Sequence, residues 1–152
     1  MLPSARARRR ASGRPRGADG AAAVEFALVA PLLILLVFGI LSYGYLLSFR
    51  QAMSQGAAEG ARAGAVWASA YAPTQDADRL RAAHEGVDEA LSSYGVGCGS
   101  GATCRIRMEQ CGSGTCLVVT VTYPYAERPL TPGVPLVPMP DTLTYTATTR
   151  VQ

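Results

Sequence analysis

The feature that most constrains this chain is an apolar run that begins at Ala21, stays almost purely apolar to Leu41 and mostly apolar to Leu47. A helix needs roughly 20 apolar residues to cross the hydrocarbon core of a bilayer. The run contains one carboxylate, Glu25, whose charge costs on the order of a few kcal/mol inside a membrane unless it is compensated. The sequence therefore predicts a transmembrane helix over residues 21–47, and a partner or a purpose for Glu25.

An arginine cluster precedes the apolar run, with Asp19 as the single acid beside it. The cluster consists of Arg6, Arg8, Arg9, Arg10, Arg14 and Arg16. Such a cluster can bind nucleic acid, but directly before an apolar span it acts as a topology signal that keeps the N-terminus in the cytoplasm. We therefore interpret residues 1–20 as a basic cytoplasmic leader and expect no nucleic-acid partner.

Two cleaved export signals fit the leader and the apolar run poorly. A secretory signal peptide has an apolar region of roughly 7 to 15 residues, and this run is about twice that length. A twin-arginine signal is disfavoured because Ala, Ser, Gly and Pro follow the arginines where an apolar stretch should begin. A retained membrane helix with an extracytoplasmic C-terminal part is the better interpretation.

Residues 48–72 are rich in alanine and are predicted to continue the helix as a stalk. Small side chains recur on one face of that helix, at Ala52, Gly56, Gly60 and Ala63, followed by Trp67. Each glycine costs about 1 kcal/mol of helix stability relative to alanine, so we expect this stripe to be packed. A simple amphipathic stalk and a dedicated assembly face both remain open.

Residues 73–152 are predicted to form a small α+β extracytoplasmic head. Its helix should run from about Gln75 to Tyr94, with Thr74 as its N-cap and Gly95 as its C-cap. Two short extended runs, 105–110 and 117–123, should form a β-hairpin. A stretch rich in proline follows, and residues 141–151 alternate as a half-buried strand. The fold class is thus α+β, with one transmembrane helix leading into a stalk and a small ectodomain.

The four cysteines lie in or beside the predicted hairpin and allow three disulfide connectivities. A turn at Ser113 and Gly114 would set Cys111 opposite Cys116, ready to bridge, and Ile106 opposite Val121. Cys98 and Cys104 would then form the second local pair. Neither pair has the C-x-x-C spacing of structural zinc, and disulfides are favoured outside the cytoplasm. We therefore expect disulfides and no metal.

No catalytic constellation is present in the sequence. It lacks G-x-S-x-G, a Walker-type phosphate loop and H-E-x-x-H. The glycine-rich run from Gly97 to Gly101 has neither the lysine nor the helix of a phosphate loop. His84 is the sole histidine, and a lone helical histidine is more often a surface or half-buried side chain than a ligand or a base. We expect neither an enzyme nor a bound cofactor.

Several short motifs in order resemble the TadE-like proteins of tight-adherence pilus systems. They are the run from Gly20 through Glu25 to Leu33, then 38–40, 50–52 and 59–62. The resemblance implies a minor pilin or pseudopilin of Flp-type pili that a prepilin peptidase processes. It would make Gly20 the residue before the cut, Ala21 the mature N-terminus and Glu25 the processing and assembly glutamate. Its implied partners are the membrane, other pilins or pseudopilins, the pilus assembly machinery and the peptidase.

Two functions follow as hypotheses. In the first, the chain is a minor pseudopilin, trimmed after Gly20, whose Glu25 neutralises the amine of a neighbouring subunit in or at the base of a pilus. In the second, it is an unprocessed, single-pass membrane-anchored envelope protein whose head binds a partner.

Overall fold

The computed structural model describes residues 16–66, 75–133 and 137–151. Its first element is a single long helix, α1, over Arg16–Val66, with Pro31 inside it. Alanine and leucine, both strong helix formers, dominate this segment. The contacts of the chain divide it into two units, Met1–Val37 and Phe38–Gln152.

The described part of the first unit is helix whose side chains face outward. Between Gly20 and Val37 every side chain is exposed except that of Ala30, which is half-buried. The stretch Gly20–Val66 contains a window long enough and apolar enough to cross a membrane, and nothing in that window is buried. The predicted long apolar N-terminal helix is therefore confirmed.

The second unit combines the rest of α1 with a second helix and a sheet. The helix α2 spans Gln75–Leu91, and a 3-10 turn, Ser92–Tyr94, follows it. Gly95 ends this turn with φ +66°, the left-handed conformation that glycine adopts without a Cβ clash. The predicted C-cap is thus confirmed, although α2 itself ends three residues before Tyr94. The expected N-cap, Thr74, and Trp67 lie outside the described residues.

Four strands form one sheet in the order β1-β2-β3-β4. Their bounds are Gly97–Cys98, Gly101–Cys111, Gly114–Tyr123 and Leu143–Arg150. The three long strands pair antiparallel along the chain order. On β4 the threonines at 144, 146 and 148 are exposed while Leu143 is buried, as the alternating pattern predicted. The predicted α+β class is confirmed.

The hairpin register differs from the expectation. The turn consists of Gly112 and Ser113, so Cys111 pairs with Gly114 and Ile106 pairs with Val119. The expected turn at 113–114 is therefore wrong. Gly112 has φ +66°, which two-residue hairpin turns favour at their first position. Because the register moved by two residues rather than one, Ile106 still faces the core.

The core of the second unit lies between α1, α2 and β3. It includes Phe49 and Met53 from α1, Val87 from α2, and Leu117 and Val119 from β3, all fully buried. The second half of α1 thus supplies one wall of this core. The stripe of small residues on α1 thus packs against other elements of the same chain.

Glycines in α1 allow α2 to approach closely. A Cβ at Gly60 would lie 2.6 Å from Cγ2 of Val87 and 2.8 Å from the carbonyl oxygen of Ala83. At Gly56 it would lie 3.4 Å from the Cβ of Ala90. A Cβ at Gly56 would thus make an ordinary van der Waals contact, whereas Gly60 has room for a hydrogen atom but not for a side chain unless α2 is displaced.

Candidate functional site

The predicted processing and assembly residues lie on the exposed first part of α1. Gly20, Ala21 and Glu25 are all in the helix and all exposed. A Cβ at Gly20 would meet no atom within 4 Å. These residues are therefore accessible along the helix surface.

Ala21 and Glu25 lie on one face of α1. They are four residues apart, a rise of about 6 Å along an α-helix, so Cβ of each projects from the same side. Among the residues that the structure describes, no salt bridge includes Glu25. An ionised carboxylate only accepts hydrogen bonds, so Glu25 offers an acceptor to a cation or a donor outside the described part of this chain.

The arginine leader is mostly outside the described residues. Arg6, Arg8, Arg9, Arg10 and Arg14 all precede residue 16, where the described chain begins. Arg16 is the first residue of α1. The role of these arginines as a topology signal remains a prediction.

The end of the apolar run lies in the second unit and has two different faces. Ser42, Leu46 and Phe49 are buried, whereas Leu41 and Leu47 on the other side are 62% and 43% exposed. Their spacing of three to four residues places the buried side chains on one stripe of the helix. The helix is thus covered by protein on one face while its other face stays apolar and open.

Tyrosine side chains from distant parts of the chain meet α1 just beyond the run. The hydroxyl of Tyr94 lies 2.6 Å from Oγ of Ser48, and Nε of Arg50 donates to the hydroxyl of Tyr145 at 2.8 Å. The ring of Tyr94 also contacts that of Phe49 edge-on, with centroids 5.1 Å apart. Sequence reasoning missed this cluster, because only the fold brings residues 94 and 145 beside residues 48–50.

A second tyrosine cluster fixes the end of β3. Tyr123 packs edge-on against Phe49 at 4.9 Å, and its hydroxyl donates to the carbonyl oxygen of Arg128 at 2.8 Å. Burial raises the pKa of Tyr123 above its usual value, and nearby Arg128 opposes that rise. The phenol is therefore held in its neutral, donating form.

The cysteines form two disulfides, Cys98–Cys104 and Cys111–Cys116. The second disulfide joins the residue before the hairpin turn to the third residue of β3. Its two cysteines are not opposite each other in the sheet, because Cys116 pairs with Glu109. Potential ligand atoms of His84, Cys98 and Cys104 all lie within 4.8 Å of one another. Because both sulfurs are joined in a disulfide, neither is a thiolate available for a metal.

Comparison with known proteins finds a similarity between the first part of the chain and one protein family. Residues 20–62 match the model of the family described as TadE-like protein. The match confirms the resemblance, and it begins at Gly20 and lies wholly inside α1. No curated protein and no solved structure matches the chain.

Proposed function

We propose that this chain, whose residues 20–62 match the TadE-like family, is a minor pseudopilin in the assembly of Tad-type pili. The observation that supports this most directly is the position of Glu25. It is an exposed carboxylate within an exposed apolar helix, one turn after Ala21, in a segment whose family match begins at Gly20. A charge in such surroundings requires a compensating partner once the helix enters lipid.

The proposed partner is an ammonium group made by processing. A prepilin peptidase hydrolyses the Gly20–Ala21 peptide bond on the cytoplasmic side, which leaves a carboxylate on Gly20 and an ammonium on Ala21. The leader then departs with its arginines. Glu25 accepts a hydrogen bond from the new ammonium of an adjacent subunit, so that two charges that are each costly in lipid compensate each other.

The second unit supports a role outside the membrane. It has its own core and two disulfides, and disulfides persist in oxidising compartments. With the arginine leader retained in the cytoplasm before cleavage, this unit would face the extracytoplasmic side. There it would contact other pilins or the assembly machinery.

The test is the intact mass and N-terminal sequence of the protein from membranes of a host that has its own prepilin peptidase. We expect a chain that begins at Ala21 in the wild type. Gly20→Val should retain the leader, whereas Gly44→Val, the same change at another exposed glycine of α1, should be processed normally. A wild-type chain that keeps its leader would overturn the proposal and favour an unprocessed, single-pass envelope protein.

A further inference from the structure

Residues 129–140 are uncharged and unusually rich in proline. Prolines occupy positions 129, 132, 135, 138 and 140, and Thr131 is the only residue of the segment with a polar side chain. Charged side chains stand immediately outside it, at Arg128 and Asp141. We use the name proline loop for the described parts of this segment, 129–133 and 137–140.

Hydrogen bonds fix the base of the proline loop at the end of the sheet. The backbone nitrogen of Ala126 donates to the carbonyl oxygen of Asp141 at 3.0 Å. The hydroxyls of Tyr125 and Thr131 lie 3.2 Å apart. Leu130 and Met139 pack against the core. The two ends of the loop are thus held together by contacts within the second unit.

The loop lies beside the apolar run of α1. Cγ2 of Val137 would be 3.6 Å from a Cβ placed on Gly39. The neighbours of Gly39 on the helix, Phe38 and Ile40, are 57% and 64% exposed. Between Gly39 and Arg50, the first charged residue after Glu25, the helix rises about 16 Å. Val137 is therefore level with the apolar part of α1 and well short of its polar continuation.

We propose that the proline loop enters the outer leaflet of the membrane beside α1, with Pro138 in contact with lipid. This inference rests on the proposed function, because it requires α1 to cross a membrane. If the run from Ala21 spans about 30 Å of hydrocarbon at 1.5 Å per residue, it leaves the core near Leu41. Gly39 and the adjacent Val137 then lie just inside that boundary.

The chemistry of the loop suits this depth. Irregular backbone is disfavoured in hydrocarbon because each unpaired N–H costs several kcal/mol. Proline has no N–H, so five positions of the segment carry no donor that needs water. Pro132 and Pro138 are exposed, and lipid would cover them at no cost in hydrogen bonds from their own nitrogens. Arg128 and Asp141 at the two ends would stay at the headgroup level and limit the depth.

Two tyrosines a little further along α1 agree with this placement. Tyr43 and Tyr45 are 45% and 40% exposed, on helix residues four to six positions after Gly39. Tyrosine is enriched where membrane and water meet, because its ring is apolar and its hydroxyl is polar. The loop and these rings would together seat the second unit on the bilayer surface.

The test uses single-tryptophan variants of the full chain. Trp67 is the one native tryptophan, so the background is Trp67→Phe. Pro138→Trp is the probe, Leu41→Trp is the control inside the apolar run, and Gln110→Trp is the control near the hairpin turn. The proteins are reconstituted in phosphatidylcholine vesicles with and without lipid brominated at carbons 6 and 7 of an acyl chain.

We expect bromine to quench Pro138→Trp to the same fraction as Leu41→Trp, with a blue shift in its emission, and to leave Gln110→Trp unquenched. Quenching at 41 without quenching at 138 would overturn the loop proposal while leaving the membrane helix intact. Absence of quenching at all three positions would instead contradict the proposed membrane function.

A second measurement uses the wild-type chain, so its result does not depend on whether the tryptophan variants fold. Vesicles that contain a lipid with a photoreactive diazirine on its acyl chain are irradiated, and the modified residues are identified by mass spectrometry. Modification of residues 137–140 together with 38–41, and none in 105–111, supports the proposal. Modification of 38–41 alone overturns it.

Discussion

The guanidinium of Arg79 donates from Nη1 to the carbonyl oxygen of Ala65 at 2.7 Å, in the last turn of α1. The same nitrogen also reaches the carbonyl oxygen of Gly64 at 3.1 Å, and Arg79 is only 5% exposed. Carbonyls in the last turn of a helix lack partners within the helix, and a cation there also interacts favourably with the helix dipole. A residue of α2 thus donates to two carbonyl groups in the last turn of α1.

The first prediction concerns this contact. Arg79→Met should lower the free energy of unfolding by about 3 kcal/mol, because it removes charged donors and leaves buried carbonyls unpaired. Thermal unfolding of the full chain in detergent micelles would measure it. Arg81→Met is the matched control, since Arg81 pairs with Asp78 at the surface and surface pairs contribute about 0–1 kcal/mol. Equal loss in both variants would refute the capping role.

The second prediction concerns the close approach of the two helices. Gly60→Ala should destabilise the protein by about 1–3 kcal/mol, the usual cost of overpacking, because a Cβ there meets Val87 and the backbone of Ala83. Gly44→Ala is the control, since a Cβ at Gly44 meets nothing within 4 Å and alanine favours a helix by about 1 kcal/mol. The same unfolding measurement applies, and opposite signs are expected for the two variants.

The third prediction tests Glu25 as an assembly residue. Glu25→Ala should reduce the amount of assembled pili more than about tenfold, because the amine of the neighbouring subunit would lose its compensating charge, at a cost of several kcal/mol. The amount of the protein in membranes should stay unchanged. Sheared pili and membrane fractions are compared by immunoblot. Glu85→Ala, a change of another exposed acid that lies on α2, should affect neither fraction, and equal loss from both fractions in Glu25→Ala would contradict the prediction.

The fourth prediction concerns alkaline pH. Because burial raises the pKa of Tyr123 in the folded protein, the unfolded chain loses this proton first, near pH 10. Its contribution to stability is therefore complete below about pH 10 and is lost as pH rises toward the folded pKa. Tyr123→Phe should cost about 1 kcal/mol at neutral pH, through its lost hydrogen bond to Arg128. It should also show a smaller fall in stability between pH 9 and 11 than the wild type, and identical slopes would contradict the assignment.

The local sequence pattern was enough to predict several secondary-structure elements of this protein. The long apolar run predicts the first part of α1 because crossing a membrane requires only length and hydrophobicity. The period of 3.6 predicts α2, and strict alternation predicts β4 with its threonines outward. Gly20 and Glu25 could be singled out from spacing and from family resemblance, since both lie in one continuous helix and need no distant residue to define them.

Other features depended on residues far apart in the sequence. The hairpin turn was misplaced by one residue because Gly112 and Gly114 are both turn formers, and the choice between them depends on pairing along the whole of β2 and β3. Nothing local links Arg79 to Ala65 or Val137 to Gly39. Periodicity reports which side of a helix is apolar but not what covers it. The sequence by itself thus determined the long apolar helix, most of the secondary structure and the candidate glutamate. Only the tertiary structure decided that the glycine stripe packs against α2 and that the proline loop lies beside the apolar run, because burial of apolar surface joins segments whose separation along the chain carries no signal.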